Sequence, residues 1–240
     1  MLDKIKLFFK IPKLYFFSKN ILKKIEKNKE NNSKVDFLRK RETLKNKWSQ
    51  SVLNLLKVKY KIEFPEDLGI AEDENYILIS NHRSMVDIVL IQLIQEKMPN
   101  KKTLFIAKEE LLKMPIIGSV LLNMGGIAIN RGSNSGTLKL LKEIKKQNKE
   151  NNNMYVLFPE GTRTRKEEYN LGDFKPGIDL IVKKFKFKIL PVYIEGQPEK
   201  YLEKLEKDQS PLKVKVGKVF DKEEDKTVEE MYKEFVSNLK

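Results

Sequence analysis

The chain has 240 residues, one histidine, no cysteine and a formal charge of +14, from 48 Lys+Arg against 34 Asp+Glu. That length forms one domain, or one domain with a small accessory module, and needs no disulfide or structural metal to build a core. Without cysteine, thiol catalysis, an acyl-cysteine intermediate and Cys-based zinc sites are excluded. The charge favours nucleic acid, acidic lipid headgroups or phosphorylated substrates. Lys and Asn abound throughout, as in KKQNKENNN, so most single lysines are expected to be solvated surface.

Residues 1–57 read as a basic amphipathic arm. MLDKIKLFFKIPKLYFFSKNILKKIEK interleaves lysines with Leu, Ile, Phe and Tyr and predicts a helix over about 3–27, bent or divided at Pro12. It contains no run of the ~18–20 apolar residues a bilayer span requires, and no apolar core followed by a small-residue cleavage site, so no secretory signal is expected. Such a segment suits the membrane interface, or alternatively packs on the domain as an ordinary amphipathic helix. After the polar break NKENNSK, the spacing of Phe37, Leu44, Trp48, Val52 and Leu55 predicts a second helix over 35–57.

Residues 58–240 alternate strands and helices. VKYKIEF and YILIS read as strands, Ser84–Lys97 as a helix, TLFIA as a strand, and ELLKMPIIGSVLLNMG as a helical stretch interrupted by Pro115 and Gly118. GGIAINR is a strand, Ser133–Lys149 a helix, MYVLF a strand, Gly177–Lys184 a helix, and KILPVYIE and LKVKVGKVF strands before a closing helix from about Thr227. This order predicts a single α/β domain with a mixed, mostly parallel sheet flanked by helices.

Such sheets place ligands beyond the carboxyl ends of their strands, and three stretches fall there. In NHRSMVD, Ser84 suits a helix N-cap and Asp87 stands three residues later, which matches a capping box. Capping leaves His82 unexplained. A strand-to-helix turn can bring its ring onto the Asp87 carboxylate, fixing the tautomer of a base suited to take a proton from a hydroxyl. In LFPEGTRTR, Gly161 permits a tight turn that brings Glu160, Thr162, Arg163 and Arg165 to the same edge, as phosphate and polyol contacts or as a solvated Glu–Arg surface turn. In KEELLKMPIIGSVLLNMGGIAINR, Lys108 and Arg131 each follow a strand, and Gly125 and Gly126 suit a turn. One base beside several cations fits a phosphorylated alcohol.

These stretches resemble the motifs of the glycerolipid acyltransferases, most closely the bacterial 1-acyl-sn-glycerol-3-phosphate (lysophosphatidate) acyltransferases. Asn-His-x4-Asp stands at Asn81–Asp87, the Lys-Glu-Leu-like segment at Lys108–Arg131, Phe-Pro-Glu-Gly-Thr-Arg at Phe158–Arg163 followed by Thr164 for the usual Ser, and a proline-containing apolar run around Pro191. All four occur in order between about residues 76 and 196. The resemblance implies that His82 is the general base and Asp87 its orienting partner, with lysophosphatidate attacking an acyl thioester through its sn-2 hydroxyl to give phosphatidate. It implies Lys108, Arg131 and Arg163 for the phosphate, and Glu160 with Gly161 and Thr162 at the glycerol end. It also implies acyl carrier protein or coenzyme A as the carrier of the acyl group, and neither cofactor nor metal is expected.

Oxyanion donors are expected from backbone N–H groups at the turn into the following helix. Ser84 as a nucleophile is the alternative to its capping role. The arm is then expected to hold the enzyme on an anionic lipid surface at the cytoplasmic face of the cell membrane, peripherally or monotopically. Rival readings are another acceptor, such as glycerol 3-phosphate, or a non-enzymatic basic protein binding membrane or nucleic acid. No nucleic-acid module appears in the sequence, so nucleic acid is not an expected partner.

Overall fold

A computed structural model describes residues 15–21, 23–25, 27, 33–98, 100–113, 118, 121, 125–130, 134–149, 152–164, 169–196 and 210–239. Its helices are α1 (Lys34–Leu56), α2 (Val86–Ile94), α3 (Asn134–Gln147), α4 (Gly177–Phe185) and α5 (Val228–Ser237). Its strands are β1 (Tyr60–Glu63), β2 (Tyr76–Ser80), β3 (Lys102–Lys108), β4 (Ile127–Ile129), β5 (Asn153–Leu157), β6 (Lys188–Glu195) and β7 (Leu212–Val216).

The seven strands form one sheet in the order β1-β7-β6-β2-β5-β3-β4. From β6 to β4 all neighbours are parallel, and only the β6–β7 pair is antiparallel. The expected mixed, mostly parallel α/β fold is therefore present. Five carboxyl ends, those of β2 to β6, meet at one edge.

Alternation along the strands divides the core into two layers. Tyr76, Leu78, Phe105, Met154, Val156, Leu190 and Val192 pack with α1 and α2. Ile77, Ile79, Leu104, Tyr155, Ile189 and Tyr193 pack with α3, α4 and α5. Every residue of β2 is fully buried, which accounts for its continuous apolar run in place of an alternating one.

Boundaries shift from the sequence reading where capping or a turn intervenes. The 110–125 stretch opens as a 3-10 helix, Glu109–Lys113, and most of its remainder lies outside the described residues. The last strand stops at Val216, leaving Phe220 paired only through an isolated bridge to Ile189.

Helix α1 begins where expected, capped by Ser33, whose Oγ accepts the Asp36 N–H at 3.2 Å. Its deepest face, however, is polar. Arg41, Glu42, Lys45, Asn46 and Ser49 are buried beside Val52, Leu53 and Leu56, whereas Phe37, Leu44, Trp48 and Leu55 are only half-buried. The polar groups tolerate burial through mutual pairing: Lys45 Nζ donates to the Thr103 carbonyl at 2.9 Å and to Glu42, and Gln92 donates to Asn46. Burial pushes the Lys45 ammonium down to about 8 despite Glu42.

Of the expected first helix, residues 15–21, 23–25 and 27 are helical, and residues 1–14, with Pro12, lie outside the described residues. This segment is tied to α1 by Trp48 Nε1, which donates to Ser18 Oγ at 2.9 Å. Ser18, Ile21 and Ile25 are buried, while Tyr15 and Phe16 are exposed. No helix among the described residues is long and apolar enough to cross a membrane.

Candidate active site

The site begins where β2 leaves the sheet. The β2–β6 ladder ends at Ser80 opposite Val192. Beyond it the Asn81 side chain takes over the pairing, donating to the Ile194 carbonyl at 3.0 Å and accepting the Ile194 N–H at 2.8 Å. The Asn81 N–H donates to the Tyr232 hydroxyl at 3.0 Å, and that hydroxyl donates to the Val192 carbonyl at 2.7 Å. Burial raises the Tyr232 phenol well above its ordinary range, so it stays protonated and keeps both bonds. The exit of the chain from the sheet is thereby fixed from both sides.

His82 follows and is held at four points. Its N–H donates to Glu160 Oε1 at 3.0 Å and its carbonyl accepts the Thr164 N–H at 2.8 Å. Its ring stacks on Phe158 with centroids 4.0 Å apart, and Nδ1 lies 2.8 Å from Asp87 Oδ2. The expected pairing of imidazole and carboxylate is thus formed. An ionised carboxylate only accepts, so Nδ1 carries the proton and Nε2 is the basic nitrogen.

Asp87 is fully buried in the first turn of α2, and the same Oδ2 accepts the Arg83 N–H at 2.7 Å and the Ser84 N–H at 2.8 Å. Capping and orientation of the base are therefore one interaction. The cap departs from a reciprocal box, since Ser84 Oγ accepts the N–H of Val86 at 3.3 Å, two residues on, and Met85, with φ -66° and ψ -21°, is already helical in backbone before α2 begins at Val86. The N–H groups of Arg83 and Ser84 are thus both engaged by Asp87.

The turn after β5 supplies the opposite wall. Gly161 donates to the Phe158 carbonyl at 3.1 Å and has φ +75°, a conformation glycine adopts without a Cβ penalty. Glu160, expected at the glycerol, is 3% exposed, and its two oxygens are engaged internally. Oε1 takes the His82 N–H, while Oε2 takes the Thr164 hydroxyl at 2.7 Å and the Gly172 N–H at 2.9 Å. Its carboxylate ties the turn after β5 to the turn after β2, and it is absent from the cleft wall.

The cleft, of about 230 Å³, opens in front of His82. Met85, Ile88, Phe105, Ala107, Leu111 and Leu121 give it apolar walls, and Lys108, Gly161, Thr162 and Arg163 stand around it. Lys108 closes β3, and Thr162 and Arg163 are exposed. The structure thus brings together His82, Asp87, Lys108, Gly161, Thr162 and Arg163. Arg131 and Arg165 lie outside the described residues.

The sequence reading passed over Tyr232, Phe158 as a ring partner, and Gly172. At Gly172 a Cβ would lie 2.5 Å from Glu160 Oε2, so a side chain there would displace the carboxylate that joins the two segments. None of these carries a local signal, because each acts through a partner distant in the chain.

A His–Asp pair and cations stand at the carboxyl edge of the α/β sheet, and residues 56–195 match the family model described as Acyltransferase. The chain belongs to that family. Among its relatives is a 1-acyl-sn-glycerol-3-phosphate acyltransferase of Helicobacter pylori, 33% identical over 129 residues, which are 54% of this chain and 52% of that protein. A protein of the same description from Streptococcus pneumoniae is 31% identical over 125 residues, 52% of this chain and 43% of its own length. The matched stretches thus span about half of these relatives or less. The crystal structure of the 1-acyl-sn-glycerophosphate (LPA) acyltransferase PlsC from Thermotoga maritima superposes with a TM-score of 0.70 at 22% identity, covering 99% of this chain and 91% of that one. At that identity the likeness concerns the fold.

Proposed function

We propose that this chain transfers an acyl group from a thioester to the sn-2 hydroxyl of lysophosphatidate, yielding phosphatidate. One observation carries the reading: an imidazole locked by a buried carboxylate faces a cleft with apolar walls and with Lys108 and Arg163 beside it. The descriptions of the Helicobacter and Streptococcus relatives support the same acceptor.

In this reading Nε2 of His82 takes the proton of the sn-2 hydroxyl as its oxygen attacks the thioester carbonyl carbon. Asp87 stabilises the imidazolium that forms. Collapse of the tetrahedral intermediate breaks the C–S bond, and the leaving thiolate takes the proton back from His82. The products are phosphatidate and a free thiol, with no acyl-enzyme, and Ser84 serves as the cap. Lys108 and Arg163, with Arg131, hold the phosphate, Gly161 and Thr162 shape the contact with the glycerol, and the apolar walls take alkyl chain. Glu160 is a positioning residue for the two turns in place of the glycerol contact expected from the sequence.

Acyl carrier protein or coenzyme A delivers the acyl group. The enzyme works on the cytoplasmic face of the membrane through residues 1–57, peripherally or monotopically, with residues 58–240 forming the acyltransferase domain. The test is His82→Ala in the full chain. Transfer from thioester to lysophosphatidate should vanish while binding to anionic vesicles persists, and transfer near the wild-type rate would remove the base from the mechanism. Running glycerol 3-phosphate beside lysophosphatidate with one donor decides the acceptor.

A further inference from the structure

Between the end of β5 at Leu157 and the start of α4 at Gly177 runs the long loop that carries Glu160, Gly161, Thr162 and Arg163. Near the sheet it is pinned to its surroundings. Thr164 donates its N–H to the His82 carbonyl, Gly172 to Glu160 Oε2, and Phe174 to Glu229 Oε2 at 3.0 Å. Its outer limb holds Tyr169, whose side chain has no part in the mechanism above, and residues 165–168 lie outside the described residues.

Tyr169 has φ 61°, in the left-handed region that a bulky side chain enters at a steric cost and glycine enters freely. Lys57 and Lys186 share this conformation as helix C-caps, whereas Tyr169 stands in mid-loop. Its contacts account for a tyrosine there. The ring stacks on Tyr193 with centroids 5.1 Å apart and planes at 11°, and the Tyr169 N–H donates to the Tyr193 hydroxyl at 2.8 Å. The Tyr169 hydroxyl donates to Glu195 Oε2 at 3.0 Å; Lys215 Nζ lies 2.7 Å from the same oxygen and Lys213 Nζ 3.0 Å from Oε1. Burial opposes the charge on Glu195, but hydrogen bonds from Lys215, Lys213 and Tyr169 outweigh it and bring the carboxyl down to about 2. Burial and the bond to Glu195 raise the Tyr169 phenol, so donor and acceptor both keep their states around neutral pH.

Both partners of Tyr169 belong to β6, and the residues from Val192 to Gly196 alternate in what they hold. The Val192 carbonyl through Tyr232, the Ile194 backbone, and the Gly196 carbonyl, which accepts Arg83 Nη1 at 3.1 Å, hold the turn after β2. The side chains of Tyr193 and Glu195 hold the loop after β5 through Tyr169. One strand end therefore spaces the two segments that Glu160 bridges, with Oε1 on the His82 N–H and Oε2 on the N–H of Gly172, which follows Tyr169 closely in the chain. We infer that Tyr169 is a positioning residue: it latches the outer limb of the loop to β6 and so keeps Glu160 on the backbone of His82. This role rests on His82 being the base of the proposed acyl transfer.

The test compares Tyr169→Phe and Tyr169→Gly in the full chain, with Asn170→Ala at the exposed neighbour as control. Phenylalanine keeps the stack and loses the bond to Glu195; glycine frees the backbone and loses the ring. A residue that only makes a turn would be neutral or better as glycine. A latch requires the reverse: kcat with lysophosphatidate and one fixed thioester should fall about tenfold or more in Tyr169→Gly and about threefold in Tyr169→Phe, with KM for lysophosphatidate within about twofold. His82 is the one histidine of the chain, so its imidazole NMR signals are unambiguous. They should shift in Tyr169→Gly, less in Tyr169→Phe, and not in Asn170→Ala. Wild-type kcat with unmoved imidazole signals in Tyr169→Gly, a rise in KM at constant kcat, or a fall in kcat matched by the fraction unfolded at the assay temperature would each overturn the assignment. A wild type that transferred no acyl group to lysophosphatidate would sink the acyl-transfer reading alone, and the imidazole signals would still decide whether Tyr169 holds His82.

Discussion

Asp87→Asn tests the core of the proposed mechanism, because the change is nearly isosteric and the site is fully buried. In the native protein Oδ2 accepts His82 Nδ1–H and the N–H groups of Arg83 and Ser84, while Oδ1 is buried with no hydrogen-bond partner among the described residues. An asparagine keeps its oxygen on the three donors only by turning its NH2 to the Oδ1 position, which is buried and makes no hydrogen bond to the described residues in the native protein. The turn should therefore persist at a stability cost of about 1–3 kcal/mol, the penalty of a buried unpaired donor. Catalysis should suffer more. Removing one partner from a buried charged pair costs about 3–5 kcal/mol, and here that loss falls on the imidazolium, which exists only once the proton has moved. At about 1.4 kcal/mol per decade, kcat should drop by about two to four orders of magnitude. Because Asp87 does not line the cleft, KM for lysophosphatidate should change by less than about threefold. Steady-state assays with a fixed thioester, alongside thermal unfolding, read both quantities. A variant within tenfold of wild-type kcat, or one that loses KM instead, would show that the carboxylate serves only as a helix cap.

Tyr232→Phe removes the hydroxyl between the Asn81 N–H and the Val192 carbonyl, so unfolding titrations should show a loss of about 1–3 kcal/mol, and kcat should fall with little change in KM. Gly172→Ala would place a Cβ 2.5 Å from Glu160 Oε2 and push that carboxylate off the His82 N–H; about 1–3 kcal/mol of stability and a clear part of kcat should be lost, and retention of both would show that the two segments move apart freely. Lys45 binds its proton less tightly folded than unfolded, burial having brought it down to about 8, so its burden on stability is constant below pH 8 and is relieved as pH rises toward the unfolded value of 10.5. Denaturant midpoints of wild type measured against Lys45→Met between pH 7 and 10 should therefore show a relative gain of about 2 kcal/mol for wild type, whereas parallel curves would mean that the ammonium reaches water.

Much of the site is legible before folding because its signals are local. A fully apolar run such as YILIS needs burial on both faces, and a strand so buried in an α/β order delivers the residues after it to the carboxyl edge. His82 and Asp87 are five positions apart across one strand-to-helix turn, so their contact follows from spacing and cap chemistry. Glu160 shows the opposite case. The motif locates it at the edge, but its burial depends on donors from three segments, His82, Thr164 and Gly172, and a polyol contact and an internal brace look alike in one dimension. Helix α1 misleads similarly, since periodicity marks apolar stripes and is blind to a buried face made of groups that satisfy one another.

The sequence alone determined the order of elements, the parallel edge that gathers the motifs, and the pairing of the histidine with its acid, because backbone periodicity and short-range hydrogen bonds act between neighbours in the chain. Only the tertiary structure decided what braces that pair. The Asn81 N–H meets a hydroxyl 151 positions away and its side chain a strand 113 away, and contacts at such separations are set by how layers pack, which no local pattern encodes.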